Sequence, residues 1–306
     1  MNIADLLCGI QLVQRRGACG DIDIRSIVEN ASLAGPGIAF VARLGSVQDG
    51  HHYIGQAAHR GASLVVLQDP AYLPDSVFGD VCYVLVQDSR AALTRMAENF
   101  YGHPYRKLSV VGVTGTNGKT TVSCLGRAMM QRHGQRVGLI GTIGYDIGQG
   151  IMPASNTTPG ALELHALCAE MVSHGCGSVV MEVSSHALDQ GRIDGLHFES
   201  ALFTNLTQDH LDYHKNMDDY FRAKRKLFVD YGTAESFAIV NEDDLFGHRL
   251  APYVKGRLLR YGACPGCDIR LLDYELSPAG SRAQVQTPSE VLQIAYKVLC
   301  NRIFWF

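Results

Sequence analysis

Short apolar runs separated by turns dominate the first hundred residues. Three runs have the length and the bounding turn residues of buried strands: 37–42, 63–68 and 82–87. Residues 53–60 have a helical pattern, and a longer helix is predicted near 89–101, where apolar residues recur at i, i+3, i+4 and i+7 before Gly102 ends it. The pattern predicts a small α/β domain over 1–105 and a linker at 104–107.

From Leu108 onward, apolar runs alternate with longer stretches of helical spacing. Strands are predicted in the run that begins at Ser109 and at 137–143, 178–183, 201–206 and 237–241. Helices are predicted through Leu125 and Met129, between Pro159 and Gly175, and at about 218–231. This alternation is typical of parallel βαβ units. The predicted fold class is therefore α/β, a small N-terminal α/β domain plus a central phosphate-loop-type, mostly parallel sheet flanked by helices.

The segment after the run from Ser109 is Gly-Thr-Asn-Gly-Lys-Thr-Thr, a glycine-bearing loop that leads into a helix. Gly115 and Gly118 let the backbone N–H groups curl inward, Lys119 offers a point charge to phosphates, and the Thr120 hydroxyl suits Mg²⁺. Val113 stands where the common pattern has glycine, so the loop is a shortened one. The implied ligand is a nucleoside triphosphate; the alternative is a glycine-rich turn that binds nothing.

Acidic and imidazole side chains follow the predicted strands of the second region. Glu182 ends one strand, and Asp209 and His210 follow another. Ligands of open α/β sheets bind beyond the carboxyl ends of strands, so these groups are expected to converge with Thr120 on Mg²⁺. The alternatives are a solvated acid at 182 and a zinc pair formed by His210 and His214.

Lys224 falls within the apolar stripe of the last predicted helix. The apolar residues three or four positions away on either side are Tyr220, Phe221, Leu227 and Phe228. A buried lysine must be paired, lose its proton or be modified, because desolvating an ammonium group is costly. The alternative is a buried stem with the ammonium group at the surface.

Composition narrows the class of protein. The length of 306 residues and the apolar content of 46% are enough for about two domains. The net charge is −3, and no cluster of basic residues indicates a surface that binds nucleic acid. Neither a basic leader nor a run of about 18 apolar residues occurs, which predicts a cytoplasmic protein with no membrane partner.

The nine cysteines are scattered, which in such a protein predicts reduced thiols. Cys264 and Cys267 alone have the spacing of metal ligands, and metal binding there is the minor alternative.

Together these residues resemble the Mur ligases, ATP-dependent amide-forming enzymes that build the peptide of the cell-wall precursor. The resemblance spans about 107–262. It rests on Gly-Thr-Asn-Gly-Lys-Thr-Thr121, Asn-Thr-Thr-Pro159, Met-Glu-Val-Ser-Ser-His-Ala-Leu188 with Gln190-Gly-Arg192, Thr-Asn-Leu-Thr-Gln-Asp-His-Leu-Asp-Tyr-His214, the Ala-Lys224 helix and Asn-Glu-Asp-Asp244.

The resemblance implies roles for particular residues. The ATP-binding residues would be Gly115, Thr116, Asn117, Gly118, Lys119, Thr120, Thr121 and Asn241. Mg²⁺ would be held by Thr120, Glu182, His210 and Lys224, the last as a carbamate formed with CO₂. The catalytic residues would be Lys119, Lys224 and His210. The muramoyl-peptide substrate would contact Thr157, Thr158, Ser184, Gln190 and Arg192.

The implied reaction adds the third amino acid, meso-diaminopimelate or lysine, to UDP-N-acetylmuramoyl-L-Ala-D-Glu. The γ-phosphoryl group of ATP would pass to the substrate carboxylate, and an amine would attack the acyl phosphate. The partners would be this UDP-linked substrate and an amino acid, and the family implies a monomer. A folate-polyglutamate-type ligase is disfavoured because such enzymes lack a first domain like residues 1–105.

Three segments depart from the family. Asn-Ala-Ser at 30–32 and Ser-Val-Gln at 46–48 replace segments that normally contact the nucleotide end of the substrate. The family's third, Rossmann-like domain is predicted to be absent, the central domain to occupy 106–290, and the atypical tail 291–306 to mark a truncation or frameshift. An authentic short form is the alternative. The alternative function is a catalytically incomplete nucleotide-binding module.

Overall fold

The structure is a computed structural model that describes residues 1–17, 19–20, 22–45, 48–76, 79–277 and 280–296. The chain divides into two compact units. The first unit holds Met1–Pro104 together with Ala161–Ala169, and the second holds Tyr105–Gly160 and the chain from Glu170 onward. The boundaries predicted from the sequence, after 105 and after 290, stay predictions.

The first unit is an α/β domain built on one sheet. Its elements are α1 (Ile3–Leu6), β1 (Leu12–Arg16), β2 (Ser26–Val28), β3 (Ile38–Val41), α2 (Ile54–His59), β4 (Leu64–Leu67), β5 (Cys82–Val86) and α3 (Ser89–Tyr101). The described strands lie in the order β1-β5-β4-β3-β2, parallel except for β1. Strands β3, β4 and β5 and helix α3 confirm the prediction to within one residue at each end.

Both faces of this sheet are covered, which explains the unbroken apolar runs. One face carries Ala39, Val41, Leu64, Val66 and Val84, and the other carries Phe40, Val65, Leu67, Tyr83 and Leu85. Strand β1 was not predicted, because only its ends are partly covered and its middle residues are exposed.

A disulfide joins Cys19 to Cys82, whose Cα atoms lie 4.9 Å apart. The expectation that all cysteines are reduced thiols is therefore wrong for this pair. No spacing rule could find it, because the two residues are 63 positions apart.

The second unit is built around a larger sheet. Its elements are β6 (Ser109–Thr114), α4 (Lys119–Arg132), β7 (Val137–Gly141), β8 (Gly144–Asp146), β9 (Ile151–Met152), α5 (Ala161–Ser173), β10 (Ser178–Glu182), α6 (Ser185–Asp189), β11 (Ser200–Phe203), α7 (Met217–Val229), β12 (Phe237–Asn241), α8 (Leu245–Leu250), β13 (Arg257–Gly262), β14 (Ile269–Ser277), β15 (Gly280–Gln286) and β16 (Val291–Tyr296). Helix α5 contributes its first part to the first unit.

The described strands of this sheet follow the order β16-β15-β14-β13-β12-β11-β6-β10-β7-β8-β9. The central strands, in the spatial order β14-β13-β12-β11-β6-β10-β7, are parallel to one another. Antiparallel strands lie at both edges, β15 and β16 at one and β8 and β9 at the other. The parallel register pairs Glu182 with Val113 and Phe203 with Thr114, so the carboxyl ends of β10, β6 and β11 meet at one edge.

Two predicted strands end earlier than the apolar pattern suggests. Strand β7 ends at Gly141, where the chain turns into β8, and β11 ends at Phe203. The residues after Phe203 use their polar groups on the phosphate loop instead of a strand ladder, since Asn205 accepts from the backbone of that loop. The predicted linker at 104–107 is a 3₁₀ turn, Pro104–Lys107.

Several predicted features fall partly outside the described residues. Residues 46–47 of the altered loop and 297–306 of the tail lie outside them, while β16 occupies the start of that tail. Within the described part of the chain, no helix combines the length and the apolar character needed to cross a membrane.

Candidate active site

The loop after β6 has a shape that only glycine permits at two points. Gly115 has φ +150°, and a Cβ there would overlap the Thr204 hydroxyl. Gly118 has φ +84° and is the residue from which α4 begins. The predicted order of strand, glycine loop and helix is confirmed.

Residues that follow β11 hold this loop in place. The backbone N–H groups of Thr116 and Asn117 donate to the carbonyl and side-chain oxygens of Asn205 at 2.8 and 3.0 Å. The Thr204 hydroxyl donates to the Asn117 carbonyl at 2.6 Å. No local pattern predicts these contacts, because they depend on β11 pairing with β6.

Two lysines converge on one carbonyl of the loop. Lys119 Nζ donates to the carbonyls of Gly115 and Thr116 at 3.0 and 2.9 Å, and Lys224 Nζ donates to the same Gly115 carbonyl at 2.8 Å. Burial lowers the pKa of both side chains, and for Lys224 the nearby Lys119 charge lowers the pKa further.

Lys224 is 1% exposed, and its Nζ lies 4.6 Å from the centre of the Tyr220 ring. The alternative in which its ammonium group reaches the surface is therefore wrong. Helix α7 buries Lys224 because its apolar neighbours Tyr220, Phe221, Leu227 and Phe228 face the same side.

Glu182 is the buried carboxylate of the site. It is 1% exposed, and its oxygens accept from the Thr120 hydroxyl at 3.0 Å and from the backbone N–H and hydroxyl of Thr142 at 2.9 and 3.2 Å. The alternative of a solvated acid is wrong. A carboxylate beside a threonine hydroxyl at a phosphate loop has the oxygen donors that Mg²⁺ prefers, so the residues present fit this ion.

His210 lies in a left-handed backbone conformation, with φ +52°, at the rim of the site. Its ring centre is 5.0 Å from that of His186, and its Nε2 is 3.6 Å from Asp209. Burial lowers the pKa of His186, and the nearby His210 and His214 lower it further.

His214 is buried among aromatic rings. It is 5% exposed and packs against Tyr220, with ring centres 5.0 Å apart. Among the described residues, no three His, Cys, Asp or Glu side chains are grouped to bind one metal ion. This finding supports neither the zinc pair at 210 and 214 nor a metal site at Cys264 and Cys267.

Three of the predicted substrate residues, Thr157, Thr158 and Ser184, line the cavity beside Glu182 and are called here the hydroxyl wall. The Thr158 hydroxyl donates to the Glu182 carbonyl at 2.8 Å and accepts from the Ser184 backbone N–H at 3.0 Å. Arg192 Nη1 donates to the Thr158 carbonyl at 3.1 Å, and the hydroxyls of Thr157 and Thr142 are 3.1 Å apart.

These groups surround one cavity of about 600 Å³. It is lined by residues 116–121, Thr142, Asn156, Thr157, Thr158, Glu182, Ser184, His186, Arg192 and His210. Thr142, Asn156 and His186 were missed by sequence reasoning. Ending the predicted strand at Gly141 would have exposed Thr142 as a strand-end hydroxyl.

Four predicted residues are not among those that line the cavity: Gly115, Gln190, Lys224 and Asn241. The Asn241 side chain donates to the Thr204 carbonyl at 2.8 Å and accepts from the Asp243 backbone N–H at 3.1 Å. Gln190 accepts from Arg192 Nε at 2.9 Å and donates to the Tyr213 hydroxyl at 3.4 Å. Both side chains brace residues of the site, and their predicted ligand contacts stay predictions.

A comparison with protein families matches residues 113–302 to the Mur ligase middle domain. The chain belongs to the Mur ligase family. This Mur ligase chain is 42% identical over 262 residues to a UDP-N-acetylmuramoyl-L-alanyl-D-glutamate--2,6-diaminopimelate ligase from Parabacteroides distasonis, covering 85% of this chain and 53% of that relative. The chain thus spans about half the length of that curated relative.

Solved structures share the fold of this Mur ligase chain. A structure of a UDP-N-acetylmuramoyl-L-alanyl-D-glutamate--2,6-diaminopimelate ligase has a TM-score of 0.79 at 23% identity, covering 97% of this chain and 60% of that one. A MurF ligase from Thermotoga maritima in complex with ADP has a TM-score of 0.57 at 20% identity, covering 89% and 58%. Both cover the two units described above.

Proposed function

We propose that this chain is the nucleotide- and acceptor-binding part of an ATP-dependent ligase that joins 2,6-diaminopimelate to UDP-N-acetylmuramoyl-L-alanyl-D-glutamate. One observation carries the proposal. The phosphate loop, the buried Glu182 and the hydroxyl wall of Thr157, Thr158 and Ser184 face a single cavity of about 600 Å³. The 42% identity to a relative of that name supports the choice of diaminopimelate over lysine.

The phosphate loop would bind the triphosphate of ATP. Its backbone N–H groups and the start of α4 favour anions, and Lys119 would exchange its two carbonyl acceptors for phosphate oxygens. The ADP in the similar MurF structure supports ATP as the nucleotide. Thr120, Glu182 and His210 would hold Mg²⁺, which neutralises charge on the transferring phosphoryl group when bound.

Arg192 and the hydroxyl wall would orient the acceptor carboxylate toward the γ-phosphoryl group. Transfer forms a bond between a carboxylate oxygen and phosphorus and releases ADP. The incoming amine then attacks the acyl carbon, its nitrogen loses a proton to solvent, and the C–O bond to phosphate breaks, so inorganic phosphate is the leaving group. Residues 1–105 would hold the UDP end of the acceptor.

Lys224 would be carbamylated in the working protein. Burial lowers its pKa, which supplies the neutral amine that attacks CO₂. The amine nitrogen bonds to the carbon, one C=O π bond opens, and the nitrogen loses a proton to solvent. The resulting anion would help hold a second Mg²⁺.

An ADP-release assay tests the proposed function. The chain is incubated with ATP, Mg²⁺, the UDP-linked dipeptide and either meso-diaminopimelate or lysine, with Lys119→Ala as the control. ADP release that requires diaminopimelate and is lost in Lys119→Ala supports the proposal. Release with lysine alone would correct the amino acid, and a chain that fails to bind ATP would overturn the proposal.

A second candidate is a nucleotide-binding module without ligase activity. It requires only the phosphate loop and Glu182, which line the cavity. Mg²⁺-dependent ATP binding without turnover would support this candidate, and turnover by the chain alone would exclude it.

A further inference from the structure

Thr142 makes the densest set of contacts to the buried carboxylate of the site. Its backbone N–H donates to Glu182 Oε1 at 2.9 Å, and its hydroxyl donates to Oε2 at 3.2 Å. One residue therefore holds both oxygens of the carboxylate and fixes the plane in which they lie. Thr120, by comparison, holds only Oε2.

The neighbouring glycine makes this approach possible. A Cβ on Gly141 would overlap Glu182 Oε1 and would lie 3.0 Å from its Cδ. The end of β7 is thus shaped around the carboxylate at the end of β10, two strands that pair in parallel register. The close fit leaves Glu182 little freedom to turn.

The hydroxyl of Thr142 has no spare hydrogen for another acceptor. A hydroxyl has one proton, and a carboxylate is a stronger acceptor than a neutral hydroxyl, so the proton points to Glu182. The Thr157 hydroxyl, 3.1 Å away, then donates to Thr142. Thr142 therefore acts through Glu182, whose carboxylate it contacts from the wall of the cavity.

We propose that Thr142 is a positioning residue that sets the orientation of Glu182 for Mg²⁺ bound with the nucleotide. The inference rests on the proposed function, because it takes Glu182 as a metal ligand. Groups that orient a metal ligand from behind commonly change metal affinity about tenfold or more when they are removed.

Thr142→Val tests the proposal because it removes the hydroxyl and keeps the shape and the backbone N–H. Thr142 is exposed at the cavity wall, so the fold is expected to persist, and circular dichroism checks this. Calorimetry measures binding of a non-hydrolysable ATP analogue with Mg²⁺ and with EDTA. We expect Thr142→Val to reduce the Mg²⁺-dependent gain in affinity about tenfold, with the EDTA value unchanged.

Two variants serve as matched controls. Thr142→Ser retains the hydroxyl and should keep the gain seen in the natural chain. Thr94→Val removes a threonine hydroxyl outside the site, one that is buried in α3 and donates to the Arg90 carbonyl at 3.3 Å, and this variant should also keep the gain. If Thr142→Val lowers stability, Thr142→Ala compared with Thr142→Ser carries the same test.

The outcomes separate this inference from the proposed function. An unchanged gain in Thr142→Val, with Mg²⁺-dependent binding intact in the natural chain, overturns the positioning role alone. A natural chain with no Mg²⁺-dependent binding overturns both. An equal loss in Thr142→Val and Thr142→Ser would also contradict the role, because the hydroxyl would then not matter.

Discussion

At the scale of single residues, Lys224 is the clearest case of burial setting chemistry. Lys224 is 1% exposed, and its Nζ donates to the Gly115 carbonyl and lies over the face of the Tyr220 ring. Desolvation favours the neutral amine and lowers the pKa of Lys224, which is the direction that the proposed reaction with CO₂ requires. Lys226 on the same helix has a different setting, since it is half-buried and its Nζ lies 3.7 Å from Asp189 Oδ1.

The proposed carbamylation of Lys224 can be tested directly. In ¹³C-labelled bicarbonate, the natural chain should give a carbamate resonance by ¹³C NMR that is absent in Lys224→Ala. Lys226→Ala is the control and should keep the resonance. Loss of the signal in both variants, or its absence from the natural chain, would rule out a carbamate at 224.

The same residue gives a second, functional prediction. Lys224→Ala should lose Mg²⁺-dependent nucleotide turnover or binding, and a small carboxylate such as acetate should restore part of it by occupying the vacated space. Calorimetry with and without acetate measures the effect. Equal nucleotide affinity in Lys224→Ala and the natural chain would contradict the role.

Local signals explain which site residues the sequence could predict. Gly115, Lys119 and Thr120 lie within one short loop, and Glu182 and Lys224 are charged residues in apolar patterns. Thr142 and His186 lack such a signal. Thr142 meets Glu182 only because β7 pairs with β10, and His186 meets His210 only through the packing of a turn on α6.

Among the structural elements, the turn that carries His210 is held to helix α6 by hydrogen bonds of Tyr213. The backbone N–H groups of Tyr213 and His214 donate to the His210 carbonyl at 3.1 and 2.9 Å. The Tyr213 hydroxyl donates to Asp189 Oδ2 at 2.8 Å, at the end of α6. One side chain thus joins the turn to the segment that includes Gln190 and Arg192.

Removing this hydroxyl should loosen the turn without changing the phosphate loop. A hydrogen bond of this kind contributes about 1 kcal/mol, so amide exchange at 210–214 should become about fivefold faster in Tyr213→Phe. Hydrogen exchange with mass spectrometry measures this. Tyr53→Phe, on the surface of the first unit, is the control. Unchanged exchange at 210–214 would mean that packing of the ring alone holds the turn.

The predicted elements were most accurate where burial on both faces makes a continuous apolar run. Strands β3, β4 and β5 follow this rule. Strand β1, with the sequence Leu-Val-Gln-Arg-Arg, pairs only with β5 at the sheet edge and has no apolar periodicity to detect. Strands β14 to β16 form an antiparallel meander with many exposed positions, which also weakens the sequence signal.

At the scale of the whole molecule, helix α5 contributes to both units, so local sequence could not reveal its tertiary role. Its His165 is fully buried in the first unit, and burial together with the nearby His103 lowers its pKa from 6.5 to about 4. Below pH 6.5 the unfolded chain therefore binds a proton that the folded chain excludes. Folding stability should fall as pH decreases from 6.5 to 4.

The expected loss from His165 over this range is about 3 kcal/mol. Urea unfolding at pH 7 and pH 4 measures it, and His165→Leu should show a smaller difference between the two pH values by about that amount. Identical pH dependence in the two proteins would show that His165 does not titrate differently in the folded state.

The disulfide between Cys19 and Cys82 should make the stability of the fold depend on reductant. It closes a loop over 63 positions of the first unit, and such a crosslink restricts the unfolded chain and stabilises the fold by about 4 kcal/mol on a loop-entropy basis. Dithiothreitol should therefore lower the urea midpoint of the natural chain. Cys19→Ser should have the lower midpoint with or without reductant, whereas Cys8→Ser, at an exposed free thiol, should respond like the natural chain. If dithiothreitol left the urea midpoint unchanged in all three proteins, the disulfide would contribute nothing to folding stability, and the core around Cys82 would hold β5 in place without it.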